Sequence, residues 1–207
     1  MIKISNILEV EKYIDSMKAV IFDLDDTLYS EKEYVRSGYK EVAKIIPQIA
    51  NVEERLWAFF EKGKSAIDEL LKLEGLEELK QPCLEAYRYQ TPDICLYDGV
   101  EDLLKKLKRD GYLIGIITDG RPEGQHAKLK ALGLERMTDA MIITDELGGI
   151  VYRKPNPMAF KKMKDTLGVN YSEMCYVGDN IKKDFIAPQM LGMKCIHYLN
   201  QDGIYYQ

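Results

Sequence analysis

The chain has 207 residues, 46% hydrophobic and 30% charged, with a formal net charge of −5 at pH 7. That is enough chain to bury a real core, as one domain or as one domain carrying a smaller insertion, and the composition is ordinary for a soluble protein. The acidic balance leaves no basic surplus for neutralising a nucleic-acid backbone, and no apolar run approaches the roughly 18 residues of a membrane span.

Met1–Ser5 has no long apolar core and the chain turns acidic by Glu9, so the start does not read as a signal peptide. Ser5 followed by Ile7, Leu8, Val10 and Ile14 predicts a short leading helix. Lys18 to Phe22 is a short apolar strand that ends at Asp23. From Ser30 to about Tyr97 strand signals give way to helical spacing. It runs through Val42, Ile45, Ile46 and Ile49, then Leu56, Phe59 and Phe60, then Ile67, Leu70, Leu71 and Leu73. This segment, with Trp57, reads as a bundle of roughly four helices.

After Asp98-Gly99 strands and helices alternate. Val100, Leu103, Leu104 and Leu107 form one helical face, closed by Asp110-Gly111. Tyr112 to Thr118 is a buried strand, and Pro122 starts a helix that Gly133 stops. Met141 to Thr144 is a strand and Leu147-Gly148-Gly149-Ile150 a tight turn. Asn156-Pro157 opens a helix whose face carries Phe160, Met163 and Leu167. Met174 to Val177 is a strand, a helix runs from near Asp184 to Leu191, and Lys194 to Leu199 is the last strand.

This alternation predicts an α/β fold: a doubly wound, Rossmann-like parallel sheet, with residues 30–97 as an inserted all-helical domain and residues 1–29 and 98–207 as the core. Such sheets bind ligands beyond the carboxyl ends of their strands. Asp23, Thr118 and Asp179 all follow strands directly, which suits one shared site. The cysteines, at 83, 95, 175 and 195, make no C-x-x-C pair, and two of them lie in strand-like runs. Free thiols in a reducing, cytoplasmic setting are expected.

The acids cluster in Asp23-Leu24-Asp25-Asp26-Thr27 and Gly178-Asp179-Asn180-Ile181-Lys182-Lys183-Asp184, with a lysine in Arg153-Lys154-Pro155-Asn156-Pro157. A phosphate monoester resists attack because it is anionic and its leaving alkoxide is poor. An enzyme must neutralise it, hold a nucleophile in line and protonate the leaving group. A carboxylate can be that nucleophile, giving an aspartyl-phosphate that water hydrolyses. Just past a strand end, Asp23 and Asp25 can converge on one substrate, one attacking and the other serving as acid, then base. Mg²⁺ would hold the acids together, with Asp23, the backbone carbonyl of Asp25 and Asp179 as ligand candidates. Lys154 offers a second positive charge, and Thr118 with nearby backbone N–H groups can bind a phosphate oxygen.

These residues resemble the haloacid dehalogenase superfamily of phosphohydrolases. Asp23-Leu24-Asp25-Asp26-Thr27, Thr118, Lys154 and Gly178 to Asp184 stand in that family's order and span most of the chain. The resemblance implies Asp23 as nucleophile, Asp25 as general acid/base and Asp179 as a direct Mg²⁺ ligand. It makes Asp184 an outer ligand or an orienter of Lys154. It also implies that residues 30–97 are a C1-type helical cap that closes over small substrates. Thr118-Asp119-Gly120 departs from the family, where asparagine is commoner in the middle position, so how residue 119 contributes is open. Thr118, Asp119, Gly120, Arg121 and Lys154 form the expected substrate-binding set.

The expected activity is therefore Mg²⁺-dependent hydrolysis of a small phosphorylated metabolite, such as a sugar phosphate or nucleoside monophosphate, by a monomer or weak homodimer. A phosphomutase shares the chemistry. A 2-haloacid dehalogenase needs neither metal nor Asp25. A phosphoacceptor or binding-only domain is the non-enzyme alternative, disfavoured by the acids after the first strand and the large insertion. Asp26 is expected to cap, Asp145 and Glu146 to turn, His126 to lie at the surface and His197 to pack. Tyr34, Arg36 and Tyr39 are candidates for pocket lining, and Trp57 for bundle core.

Overall fold

Six short strands, each apolar where it runs through the core, make one wholly parallel sheet among the described residues, 1–204, of the computed structural model. They are β1 (Ile2–Ile4), β2 (Ala19–Phe22), β3 (Leu113–Thr118), β4 (Ala140–Ile143), β5 (Met174–Gly178) and β6 (Lys194–Tyr198), in the spatial order β1-β6-β5-β2-β3-β4. The central strand β2 reads Ala-Val-Ile-Phe with every residue buried. A parallel strand covered on both faces has no reason to alternate with polar residues. Ala19 and Ile21 join a core cluster with Phe160, Met163 and Tyr176. Val20 and Phe22 point to the opposite face, because successive side chains alternate across a strand.

The crossover helices are α5 (Val100–Arg109), α6 (Pro122–Ala131), α7 (Met158–Leu167) and the short α8 (Ile186–Met190), numbered after the helices of the insertion below. Helix α5 buries Val100, Leu103, Leu104 and Leu107, the stripe its spacing predicts. Each such leucine contributes about 1.5–3 kcal/mol on burial. Strand order reverses on either side of β2: the chain moves from β2 to β3 and β4, then returns to place β5 on the other flank. The carboxyl ends of β2 and β5 therefore meet at the switch point, where open α/β sheets bind ligands. Phe22 is in register with Val177 on one side and Ile116 on the other.

Among the described residues this sheet unit comprises residues 1–31 and 95–204; Lys32–Ile94 forms a second compact unit. That unit is built on α1 (Glu31–Ile45), α2 (Val52–Glu61), α3 (Ala66–Glu74) and α4 (Lys80–Arg88). Its core is Val42, Ile46, Leu56, Leu70, Leu71 and Cys83. Trp57 is half-buried against this core, its indole N–H donating to Glu61 at 2.8 Å, with the Arg36 guanidinium 3.8 Å from the ring centroid. Tyr34 and Tyr39 are buried.

Two elements differ from the sequence reading. Ile2–Ile4 is a strand paired with β6, and the leading helix is a 3-10 helix over Ile7–Tyr13 capped by Asn6. Asn6 and Glu9 form a reciprocal capping box that satisfies backbone donors at the start of this helix. None of the four cysteines is in a disulfide. No helix among the described residues is long and apolar enough to cross a membrane.

Candidate active site

At the end of β2 the Asp23 N–H donates to Val177 O at 2.8 Å, extending the sheet ladder by one rung before the chain turns away. The turn uses Asp26 at φ 55°, a left-handed conformation that aspartate tolerates better than most residues. Asp26 then caps α1, its Oδ1 accepting from the Glu31 N–H at 2.9 Å.

Four of the residues singled out in the sequence come together here. Lys154 Nζ lies 2.6 Å from Asp23 Oδ1 and 2.9 Å from Asp184 Oδ1, and donates to the Tyr176 hydroxyl at 3.0 Å. Asp23, Asp179 and Asp184 each offer a carboxylate oxygen within 4.8 Å of the other two. Burial and the neighbouring Asp184 push the Asp23 carboxyl up to about 7 against the pull of Lys154. Burial, Asp23 and Asp184 push Asp179 up to about 8. Burial alone would lower Lys154, but Asp184 and Asp23 outweigh it and hold its ammonium charged.

The Gly178–Asp184 segment folds back on itself to make this cluster. Asp184 Oδ2 accepts from the Asn180 N–H at 2.9 Å, and the acid lies directly over Gly178. A Cβ on Gly178 would sit 2.6 Å from Asp184 Oδ2. Gly178→Ala should therefore push Asp184 off Lys154 and cost about 2–4 kcal/mol, the scale of a broken buried ion pair. A denaturant midpoint equal to that of the parent protein would contradict this packing. His197 Nε2 donates to the Asp179 backbone carbonyl at 2.8 Å, so it fixes the loop as well as packing beneath it.

Asp25 faces elsewhere. Its Oδ1 accepts from Lys128 Nζ at 2.7 Å and from the Tyr29 hydroxyl, and its Oδ2 accepts from Gln125 Nε2 at 3.0 Å. Burial raises this carboxyl, but Lys128 and the hydrogen bonds from Lys128, Tyr29 and Gln125 bring it below the usual carboxylate value. The sequence reading did not single out Lys128, Gln125 or Tyr29. Helix α6 buries Gln125, Lys128 and Leu129 where an apolar stripe would be ordinary.

Thr118 is buried at the end of β3, and its hydroxyl makes no hydrogen bond among the described residues. Asp119 is engaged by the protein: Oδ1 accepts from Thr144 Oγ1 at 2.9 Å and from the Lys154 N–H at 3.0 Å, and Oδ2 from Lys183 Nζ at 3.2 Å. Burial would raise it, but Lys154 and Lys183 lower it. Gly120 has φ 146°, and a Cβ there would meet Gln125 Nε2 at 2.6 Å. Arg121 lies exposed at the start of α6. Asp145 is clamped by Arg153 through two hydrogen bonds of 2.7 Å, and exposed His126 faces Glu146.

The donor set fits a hard divalent cation. All three clustered groups are carboxylates, the ligands Mg²⁺-like ions prefer. The raised values of Asp23 and Asp179 come first from burial and then from like charges held close.

The family model described as haloacid dehalogenase-like hydrolase matches residues 20–198. Glyceraldehyde 3-phosphate phosphatase of Methanocaldococcus jannaschii is 29% identical over 202 residues, covering 88% of this chain and 85% of that protein. (S)-2-haloacid dehalogenase 4A of Burkholderia cepacia is 29% identical over 184 residues, covering 81% and 77%. A haloacid dehalogenase superfamily hydrolase of subfamily IA from Geobacter sulfurreducens superposes with a TM-score of 0.70 at 20% identity, covering 88% of this chain and 87% of that one. At that identity the likeness is one of fold. The acid cluster and the family together imply a divalent metal. Because the matched span runs from the central strand through the helical insertion to the end of β6, the chain belongs to the haloacid dehalogenase-like hydrolases.

Proposed function

We propose that this hydrolase is a Mg²⁺-dependent phosphatase that cleaves a small phosphorylated metabolite through an aspartyl-phosphate on Asp23. The observation that carries the reading is the segregation of two carboxylates only two residues apart. Asp23 is paired with Lys154 inside an acid cluster, and Asp25 is held apart by Lys128 and Gln125. The first setting places a carboxylate against a cation that can meet a phosphoryl group, and the second holds the other carboxylate in one orientation for proton transfer.

Asp23, Asp179, Asp184 and the backbone carbonyl of Asp25 are the groups that would hold Mg²⁺. When bound, the ion supplies charge neutralisation for the phosphoryl oxygens. Lys154 pulls Asp23 toward its ionised form against burial and meets the negative charge that the phosphoryl group brings. The unpartnered Thr118 hydroxyl, at a strand end beside Asp23, suits a phosphoryl oxygen. Asp119 holds the Lys154 backbone and Lys183, a supporting use of the aspartate where the family more often has asparagine. Gly120 lets Gln125 close over the loop, and Arg121 is free in space to meet an anionic substrate. The helical insertion acts as the cap, with residues 30–97 as its extent. A sugar phosphate is the favoured substrate class, in keeping with the Methanocaldococcus jannaschii relative's glyceraldehyde 3-phosphate.

The Burkholderia cepacia relative makes dehalogenation the competing reading. A dehalogenase displaces halide from carbon and has no leaving alkoxide to protonate, so it has no use for the Asp25–Lys128 pair. Purified protein with Mg²⁺ should release phosphate from members of a panel of sugar and nucleoside monophosphates and no chloride from 2-chloropropionate. Chloride release without phosphate release would overturn the proposal.

A further inference from the structure

Burying a lysine on a crossover helix is expensive unless its charge is paired. Helix α6 nevertheless turns Lys128 inward, its side chain 6% exposed, where a leucine would pack at lower cost. The acid cluster takes its cation from Lys154, and the Lys128 ammonium is aimed at Asp25 instead. It sits on Asp25 Oδ1, which also accepts from Tyr29. Gln125, one turn earlier on the same face, donates to Asp25 Oδ2 and, at 2.6 Å, to the Asp119 backbone carbonyl. The latter contact fixes which end of the amide faces Asp25, because a carbonyl can only accept.

We propose that Lys128 and Gln125 are positioning residues that lock the Asp25 carboxylate in one orientation and make Oδ2 the oxygen that exchanges the proton. This rests on the phosphatase reading above. Two donors, an ammonium and a hydroxyl, occupy Oδ1. One amide N–H occupies Oδ2 and leaves it a lone pair for a proton. In the first half-reaction an Asp23 oxygen bonds phosphorus, the bond from phosphorus to the leaving oxygen breaks, and the proton on Asp25 Oδ2 passes to that oxygen. In the second, a water oxygen bonds phosphorus and gives its proton to Asp25 Oδ2. The Asp23–phosphorus bond then breaks, releasing phosphate. Both halves need Oδ2 aimed consistently, and α6 sets that aim from a rigid element.

The test compares an alkyl phosphate that the parent protein hydrolyses with 2,4-dinitrophenyl phosphate, whose leaving group needs no proton. Lys128→Met should lower kcat for the alkyl phosphate by roughly 10²–10³-fold, the range of general acid–base catalysis, with KM within a few-fold. With the dinitrophenyl ester it should give a burst of about one dinitrophenolate per active site followed by slow turnover, because the second half-reaction still needs the base. Gln125→Ala should show the same burst with a smaller fall, and covers the case in which Lys128→Met does not fold. Lys128→Arg should restore turnover to within about tenfold of the parent. The double variant Lys128→Met/Asp25→Asn should be no slower than Asp25→Asn alone, as expected of residues acting as one unit. A folded variant that loses both substrates in parallel and shows no burst overturns the assignment. A parent protein inactive on every phosphate ester sinks the phosphatase reading instead.

Discussion

Asp23→Asn should lose turnover by roughly 10⁴-fold or more while keeping its fold, as happens when the group that forms the covalent bond is removed. The asparagine side chain matches the carboxylate in size and can still accept from Lys154, so the 2.6 Å contact has a successor. Lys154 also keeps Asp184 at 2.9 Å, so no buried cation is left alone. Circular dichroism should be unchanged and the melting temperature close to that of the parent. Loss of activity alone would not separate a nucleophile from a metal ligand, because Asp23 belongs to the acid cluster. The separating measurement is acid quenching of the parent protein during turnover of a phosphate-labelled substrate. Label should be found on the peptide carrying Asp23, and Asp23→Asn should carry none even at saturating Mg²⁺. A parent enzyme that turns over without ever carrying label uses water directly, and the covalent route would be wrong.

The cluster around Lys154 was legible because its members interrupt apolar runs. Asp23 and Asp179 each stop a buried strand, and a charge in that place has few structural uses. The sheet itself was legible for the same reason: fully buried parallel strands write themselves as unbroken runs. Strand β1 carries no such mark, being three residues at the sheet edge with only Ile4 buried. The shell of Asp25 was hidden by distance. Lys128 lies 103 positions away on a helix, and nothing local separates an inward lysine from a solvated one. His197 was visible as an apolar-strand residue, but its bond to the Asp179 carbonyl depends on the pairing of β5 with β6, which no local pattern encodes. Asp119 shows a related limit. Its three donors come from Thr144, Lys154 and Lys183, each supplied by a different part of the sheet unit.

Stripping divalent metal with EDTA should abolish phosphate release, and Mg²⁺ should restore it. The same site predicts an inverted pH profile for the stability of the stripped protein. In an unfolded chain Asp23 and Asp179 would titrate near ~3.9. In the folded chain, burial and mutual repulsion raise them to about 7 and about 8. Between those limits the folded state binds protons that the unfolded state has released, so stability falls with each step up in pH. The stabilisation is complete below the unfolded value and is lost as pH rises through the folded values. Glu31, pushed up to about 8 by burial and by Asp25, adds to the same trend. Asp25 and Asp119, held low, act only in acid, where their contribution is lost as pH falls through their folded values. Stripped protein should thus melt lower at about pH 8.5 than at about pH 5.5, opposite to a protein stabilised by ionised, well-paired carboxylates. Mg²⁺ requires those acids deprotonated, so its stabilisation should grow with pH and reach about 2.7 kcal/mol at 100 times its Kd. Asp179→Asn should flatten the stripped profile, because it removes the group with the higher value of the pair. A stripped protein whose melting temperature rises steadily from pH 5.5 to 8.5, and whose activity ignores EDTA, would show that the three carboxylates are satisfied without a cation.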